Sequence, residues 1–209
     1  MSLCTSWKAA KKKLKNNCAQ AWKRSSIFIP RSEIYLALPG GQQHHLTVAK
    51  EDKESVAVRA ATREDCGSIL DCLALAFAPY RDAYTPDAYL DTVLTPDSMR
   101  TRMAQMSIFV AESAGGQVVG TIACKALDGG RGHLRGMAVR PEWHGSGVSA
   151  CLLKRAEEEL RKAGCTRITL NTTEPLKRAL RFYEKYGFQP TGRLGSFFGM
   201  TLFEYSKPL

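Results

Sequence analysis

Gly145 and Gly147 stand at the end of an apolar run and just ahead of an amphipathic one, in the segment Met137-Ala-Val-Arg-Pro-Glu-Trp-His-Gly-Ser-Gly-Val-Ser-Ala150. Glycine lets the backbone approach a ligand closely, and the first turn of a helix leaves N–H groups without intrahelical partners. With the helix dipole behind them, such amides hold phosphate or pyrophosphate. Two familiar phosphate motifs do not fit. A P-loop needs a Lys directly after its second glycine, and Val148 stands there. Gly145-Ser-Gly-Val-Ser-Ala150 satisfies the loose GxGxxG/A dinucleotide pattern, but Pro141-Glu-Trp-His144 intervenes where that fold turns at once. The next strand also closes on Leu170-Asn171, with no acid for a ribose.

The elements that must position this turn follow from hydrophobic period. Residues 56–60 alternate as a short strand, and Thr62 three residues before Asp65 opens a helix in the manner of a capping box. Ile69, Cys72, Leu73, Ala76 and Phe77 give that helix an apolar face. Pro86 and Pro96 interrupt residues 80–106, leaving one short helix over 96–106. Residues 108–112 and 118–125 read as a hairpin across Ser113-Ala-Gly-Gly116, and Asp128-Gly-Gly130 turns into a strand over 133–139. The helix after the glycines runs to about Ala163 with Val148, Cys151, Leu152, Ala156 and Leu160 on one face, and Gly164 ends it. A strand over 166–170, a helix over 175–186 closed by Gly187, and a last strand over 202–206 complete the order. Antiparallel hairpins followed by a βαβ unit define a mixed α+β or α/β class around one central sheet.

Composition bounds the rest. At 44% hydrophobic and 24% charged residues the chain is of a globular rather than a disordered type. No run of apolar residues is long enough to span a membrane. The net charge is +10, but residues 1–32 carry eight Lys and Arg and no acid, so only +2 belongs to the remainder. Residues 1–55 lack a sustained apolar period and read as a flexible basic extension ahead of a domain over 56–209. An organellar address is the alternative for that extension, and no secretory signal is visible in it. The seven cysteines are scattered and form no CxxC pair, which argues against zinc and for small apolar roles in a reducing, cytoplasmic compartment.

VRPEWHGSGVSACLL resembles motif A of the GNAT superfamily of N-acyltransferases, and ALRFYEKYGFQPTG resembles that family's second signature. The two lie in the family's order, one helix and one strand apart. The resemblance implies an acyl-CoA N-acyltransferase fold, a twisted mixed sheet of six or seven strands with about four flanking helices, splayed at its fourth and fifth strands to admit acetyl-CoA. It implies that Met137, Ala138 and Val139 pair with the pantetheine arm, and that the pyrophosphate lies on the amides of His144, Gly145, Ser146, Gly147, Val148 and Ser149. No metal is implied. Three positions depart from the pattern: His144 replaces Gln or Arg, Ser149 replaces a small residue, and Leu176 replaces an Asn near the last helix.

Under the same resemblance Tyr183 becomes the general acid for the leaving thiolate, since a phenol can donate to it. Read without it, Phe182 and Tyr183 are aromatic packing. The family's Glu base falls at His133, an imidazole suited to proton transfer near neutrality; a surface histidine at a strand start is the plainer reading. Glu112 is a weaker candidate for that base. The expected reaction is direct transfer of acetyl to a primary amine, in a small molecule or a protein. Tyr80, Asp82, Tyr84, Asp87, Tyr89, Asp91 and Phe197-Phe198 are expected to line the acceptor cleft, where carboxylates beside aromatic rings suit a cationic amine. A CoA-binding sensor without turnover, and a nucleic-acid-associated protein using the basic arm, are the alternatives from other classes. A homodimer is common in the family, and no membrane partner is expected.

Overall fold

The computed structural model describes residues 55–209. The extension expected over residues 1–55 therefore lies, apart from Ser55, outside the described residues. Among the described residues seven strands form one sheet: β1 (Val56–Ala60), β2 (Ser107–Ser113), β3 (Val118–Leu127), β4 (Arg131–Val139), β5 (Arg167–Thr173), β6 (Gln189–Phe197) and β7 (Met200–Pro208), in the spatial order β1-β2-β3-β4-β5-β7-β6. All neighbours are antiparallel except β4 and β5. A parallel pair needs a crossover, and the helix between them supplies it.

Among the described residues five α-helices cover the sheet, one more than expected: α1 (Cys66–Phe77), α2 (Pro86–Val93), α3 (Pro96–Gln105), α4 (Val148–Lys162) and α5 (Lys177–Lys185). β2 shows why both faces are covered. Its Phe109 and Ala111 join the core under α4 and α5, while Ile108 and Val110 join a second core under α1 and α3. Period-two alternation thus feeds two hydrophobic layers from one continuous apolar run. α2 was hidden because Pro86 reads as a breaker. It occupies the first helical position, where its missing N–H costs nothing, behind Thr85, whose hydroxyl accepts from Ala88 N at 3.4 Å. Pro96 repeats the device behind Thr95.

Two further differences have local causes. Cys151, expected on the apolar face of α4, is exposed, and Leu153 and Glu157 are buried on that helix instead. Leu153 lies in the core, whereas Glu157 is held by Lys207 Nζ at 2.6 Å. β6 gave no strand signal because nearly all of it is exposed, so no apolar alternation marks it.

Three features of the sheet shape the site. β4 pairs with β5 only over Arg131–Leu134 against Arg167–Leu170, after which β4 runs on to Val139 and β5 to Thr173 without pairing to each other. Opposite this divergence β4 carries a bulge: Thr121 faces Ala138 and Ala123 faces Arg135, so two residues, Gly136 and Met137, oppose Ile122 alone. Gly136 takes φ 62° there. Finally, α4 lies hard against β3 and β4 at two glycines. A Cβ at Gly120 would stand 2.9 Å from Leu152 Cδ1, and one at Gly132 would stand 2.6 Å from Leu160 Cδ1. Closeness at these points holds α4 against the two strands from Leu152 to Leu160.

Candidate active site

The divergence of β4 and β5 opens a cleft of about 600 Å³ whose walls come from β4, β5, α4, α5 and the α1–α3 region. At one end is the glycine turn. Gly145 and Gly147 adopt φ 80° and 92°, the left-handed region that side chains resist, and Gly147 is the residue before α4. The six amides expected to face a pyrophosphate divide into two groups. His144 N and Ser146 N donate to Pro141 O (3.1 Å) and Trp143 O (3.3 Å), closing the turn. The amides of Gly145, Gly147, Val148 and Ser149 have no acceptor among the described residues. Ser146 is fastened by its hydroxyl to Trp143 O at 2.6 Å, and the Val148 side chain is buried in the core. The four free amides, arrayed at a helix start, suit an anion with several oxygens.

His144 extends this wall through its ring. Arg178 Nη1 lies 2.7 Å from Nδ1 and can only donate, so Nδ1 accepts and Nε2–H donates to Val139 O at 3.0 Å. The ring thus ties the end of β4 to α5 and places a guanidinium beside the free amides. Arg178 was not singled out from the sequence, since only folding brings α5 to the start of α4.

Along β4 the stretch Arg135–Val139 has no strand partner on the side β5 has left, and Met137, Ala138 and Val139 line the cleft there. Tyr183 of α5 reaches this stretch: its hydroxyl donates to Met137 Sδ at 3.4 Å, a weak acceptor. The ring is buried against Phe182 and Phe188, both at 5.5 Å and steeply tilted. Burial pushes the phenol's pKa well above its ordinary value, so it stays protonated. The ring is packing, as the plainer reading has it, and the hydroxyl faces the cleft. Nearby, the buried Thr172 hydroxyl has no hydrogen-bond partner among the described residues and lines the same cleft. An unpaired buried hydroxyl is costly, and a polar ligand in the cleft would satisfy it.

His133 also lines the cleft. Thr169 Oγ1 donates to Gly132 O at 3.1 Å and stands 3.2 Å from His133 Nδ1, so it accepts the Nδ1 proton and leaves the Nε2 lone pair free. Burial, helped by the charge of Arg135 and opposed by Glu204, lowers the imidazole pKa. A neutral imidazole at neutral pH is the form that accepts a proton. Glu112 is engaged elsewhere: it pairs with Arg59 and is not among the residues lining the cleft.

The third wall holds only part of the expected acceptor set. Tyr80, Tyr84, Asp91 and Phe197 line the cleft, as does Leu176. The Tyr84 hydroxyl is tied to Thr173 Oγ1 at 2.7 Å, and Asp91 is ion-paired with Arg135. Asp82 and Asp87 are exposed and outside the lining, Tyr89 lies under Arg81 at 5.6 Å, and Phe198 is exposed. Arg102 was overlooked, although a signal was present: it follows Met99 by three residues on the buried stripe of α3, an unusual place for a charge.

Residues 69–188, from α1 to the end of the Tyr183 signature, match the acetyltransferase (GNAT) family, and the chain belongs to that family. An acetyltransferase of Agrobacterium fabrum is 49% identical over 51 residues, 24% of this chain and 36% of that protein. The chain thus spans about a third of that relative's length. An aminoglycoside N(6')-acetyltransferase of Stenotrophomonas maltophilia is 30% identical over 129 residues, 58% of this chain and 83% of the other. The fold is shared with the PaiA N-acetyltransferase of Thermoplasma acidophilum, solved with coenzyme A, at a TM-score of 0.64 and 18% identity over 74% of this chain and 99% of that one.

Proposed function

We propose that this chain transfers an acetyl group from acetyl-CoA directly to a primary amine. The observation that carries the reading is the continuity of the cleft: four free amides and Arg178 at one end, the open edge of β4 along its length, and the Tyr183 hydroxyl beside Met137. The residues present fit the co-substrate. Gly145, Gly147, Val148 and Ser149 would hold the pyrophosphate with Arg178, and β4 would pair with the pantetheine arm. When bound, acetyl-CoA supplies an activated acetyl carbon and a thiolate leaving group.

The chain's own groups then account for the protons. An alkyl ammonium with a pKa near 10.4 is neutral in only about one molecule per thousand at pH 7. His133 Nε2 takes the ammonium proton, directly or through one water. Backbone N–H groups of β4 donate to the acetyl oxygen as negative charge develops on it. The N–C bond forms as the C–S bond breaks; Tyr183 gives its proton to the departing sulfur, and the second proton shed by the acylated nitrogen returns through water to the phenolate. His133 supports the role of base through its free nitrogen, and Tyr183 supports the role of acid through a hydroxyl that stays protonated and faces the cleft beside Met137.

A thiol-release assay with acetyl-CoA against a panel of amines tests this reading. Turnover is expected on at least one amine, and Tyr183→Phe is expected to lower kcat by about 10² to 10³ with acetyl-CoA affinity unchanged. Failure of the wild-type protein to bind acetyl-CoA in calorimetry would sink the proposal.

A further inference from the structure

Arg102 is 9% exposed, yet among the described residues its guanidinium makes no hydrogen bond or ion pair. Arg102 lines both the main cleft and a small apolar space that it shares with Ile69, Leu73, Leu94 and Met99. The tip lies against the β4 bulge. A Cβ at Gly136 would stand 2.8 Å from Arg102 Nη1, so the glycine makes room for the guanidinium. Gly136 directly precedes the cleft-lining residues Met137–Val139, and His133 lies three residues before it.

The guanidinium opens onto the cleft, and a charge so largely desolvated favours an ionic partner. The nearest carboxylate of consequence, Asp91, is already committed to Arg135. Asp91 and Arg135 cancel, which leaves this wall with one uncompensated positive charge. Arginine donates through a planar fork that matches a carboxylate or a phosphate. Asp82 and Asp87, which would have served a polycation, lie outside the cleft.

Resting on the acetyl-transfer reading, we infer that Arg102 is the receptor for an anionic group on the acceptor, so that the substrate is an amine that also carries a carboxylate or a phosphate. His133 addresses the amine and Arg102 the anion, from neighbouring stretches of the same wall.

Matched pairs of acceptors test the inference. One arm sets α-amino acids against their carboxamides, the other phosphoethanolamine against ethanolamine. Wild-type protein is expected to favour the anionic member of one arm by about 10- to 100-fold in kcat/KM, and the arm that responds identifies carboxylate or phosphate. Arg102→Gln should collapse that ratio to within about threefold through KM, with acetyl-CoA affinity preserved, and Arg102→Lys should restore part of it. Arg102→Met should melt at or above the wild-type temperature without substrate, because an unpaired buried charge has been removed; an arginine kept for structure would show a loss instead. Equal use of neutral and anionic amines by the wild type, or a preference that survives in Arg102→Gln, would overturn the inference. Where no amine turns over, the transfer reading fails separately. Calorimetry of the same amines against CoA-loaded protein then decides Arg102, and absence of Arg102-dependent binding rejects its role.

Discussion

At His133 the two ring nitrogens have separate partners: Nδ1–H is held by Thr169 Oγ1, itself anchored on Gly132 O, and Nε2 is left open. This short relay fixes the tautomer, and burial keeps the ring neutral. The sign of the pH effect follows. Arg135 and Glu204 are the charges that bear on the ring, the first lowering and the second raising its pKa. Because the folded pKa lies below 6.5, the reactive neutral form persists into mildly acidic solution. The enzyme's limb in a plot of kcat/KM against pH should therefore fall below pH 6.5, distinct from the alkaline limb of the amine itself. His133→Gln should erase that limb and lower kcat/KM about 10²-fold. Thr169→Val, which releases Nδ1, should lower kcat about tenfold with KM little changed. An acidic limb that persists in His133→Gln would remove His133 from the mechanism.

At the scale of elements, the start of α4 is where sequence, packing and chemistry meet. The left-handed Gly147 turns the chain so that four amides stay free, and Gly120 and Gly132 let the helix settle directly on β3 and β4. A β-branched residue at φ 92° is strained by roughly 1–2 kcal/mol even though a Cβ there would meet open space, and relieving that strain shifts the turn. Gly147→Val is therefore expected to weaken acetyl-CoA binding more than tenfold, read by calorimetry, while the melting temperature drops only a few degrees. Retained affinity would mean that the pyrophosphate does not lie on this turn. Gly145, φ 80°, likewise faces open space and is expected to behave in the same way.

Across the domain, one charge cluster joins three separate elements. Arg59 of β1 donates to both oxygens of Asp65, at 2.7 and 2.8 Å, and also pairs with Glu112 of β2. Asp65 in turn accepts from Thr62 N at 2.7 Å just ahead of α1. The Arg59 guanidinium holds the buried Asp65 carboxyl down at about 2, from an ordinary 3.8. A depressed carboxylate stabilises the fold above its unfolded pKa, and this contribution is lost as pH falls from 3.8 through about 2. Asp65→Asn should cost roughly 1–2 kcal/mol at pH 7, since Arg59 is partly solvated. Thermal melts should show the gap between mutant and wild type closing by pH 2. A gap that stays constant across that range would show that the pair contributes nothing through charge.

Local pattern was enough for the apolar periods of β2, β3, β4 and α1, for the glycine turn before α4, and for the Phe182-Tyr183 signature. Each is written in consecutive residues, and each depends on backbone geometry that neighbouring side chains impose. Even Asp65 could be read as a cap from its distance to Thr62. What stayed hidden depended on residues far apart in the chain. The β4–β5 divergence, expected only through the family resemblance, is a matter of register between strands separated by a whole helix. The Arg178–His144 bond joins residues 34 apart, and the His133–Thr169 contact joins residues 36 apart. Pro86 has the same local signature whether it breaks a helix or opens one, and Thr85 before it marks the difference only when the cap forms, whereas the helix behind Pro96 was legible. Arg102 stands at an odd place for a charge, three residues after Met99, but its contact with the bulge at Gly136 exists only once α3 packs there. Burial turns a solvated guanidinium into an unpaired one, and burial belongs to the packed assembly of elements, not to any one of them.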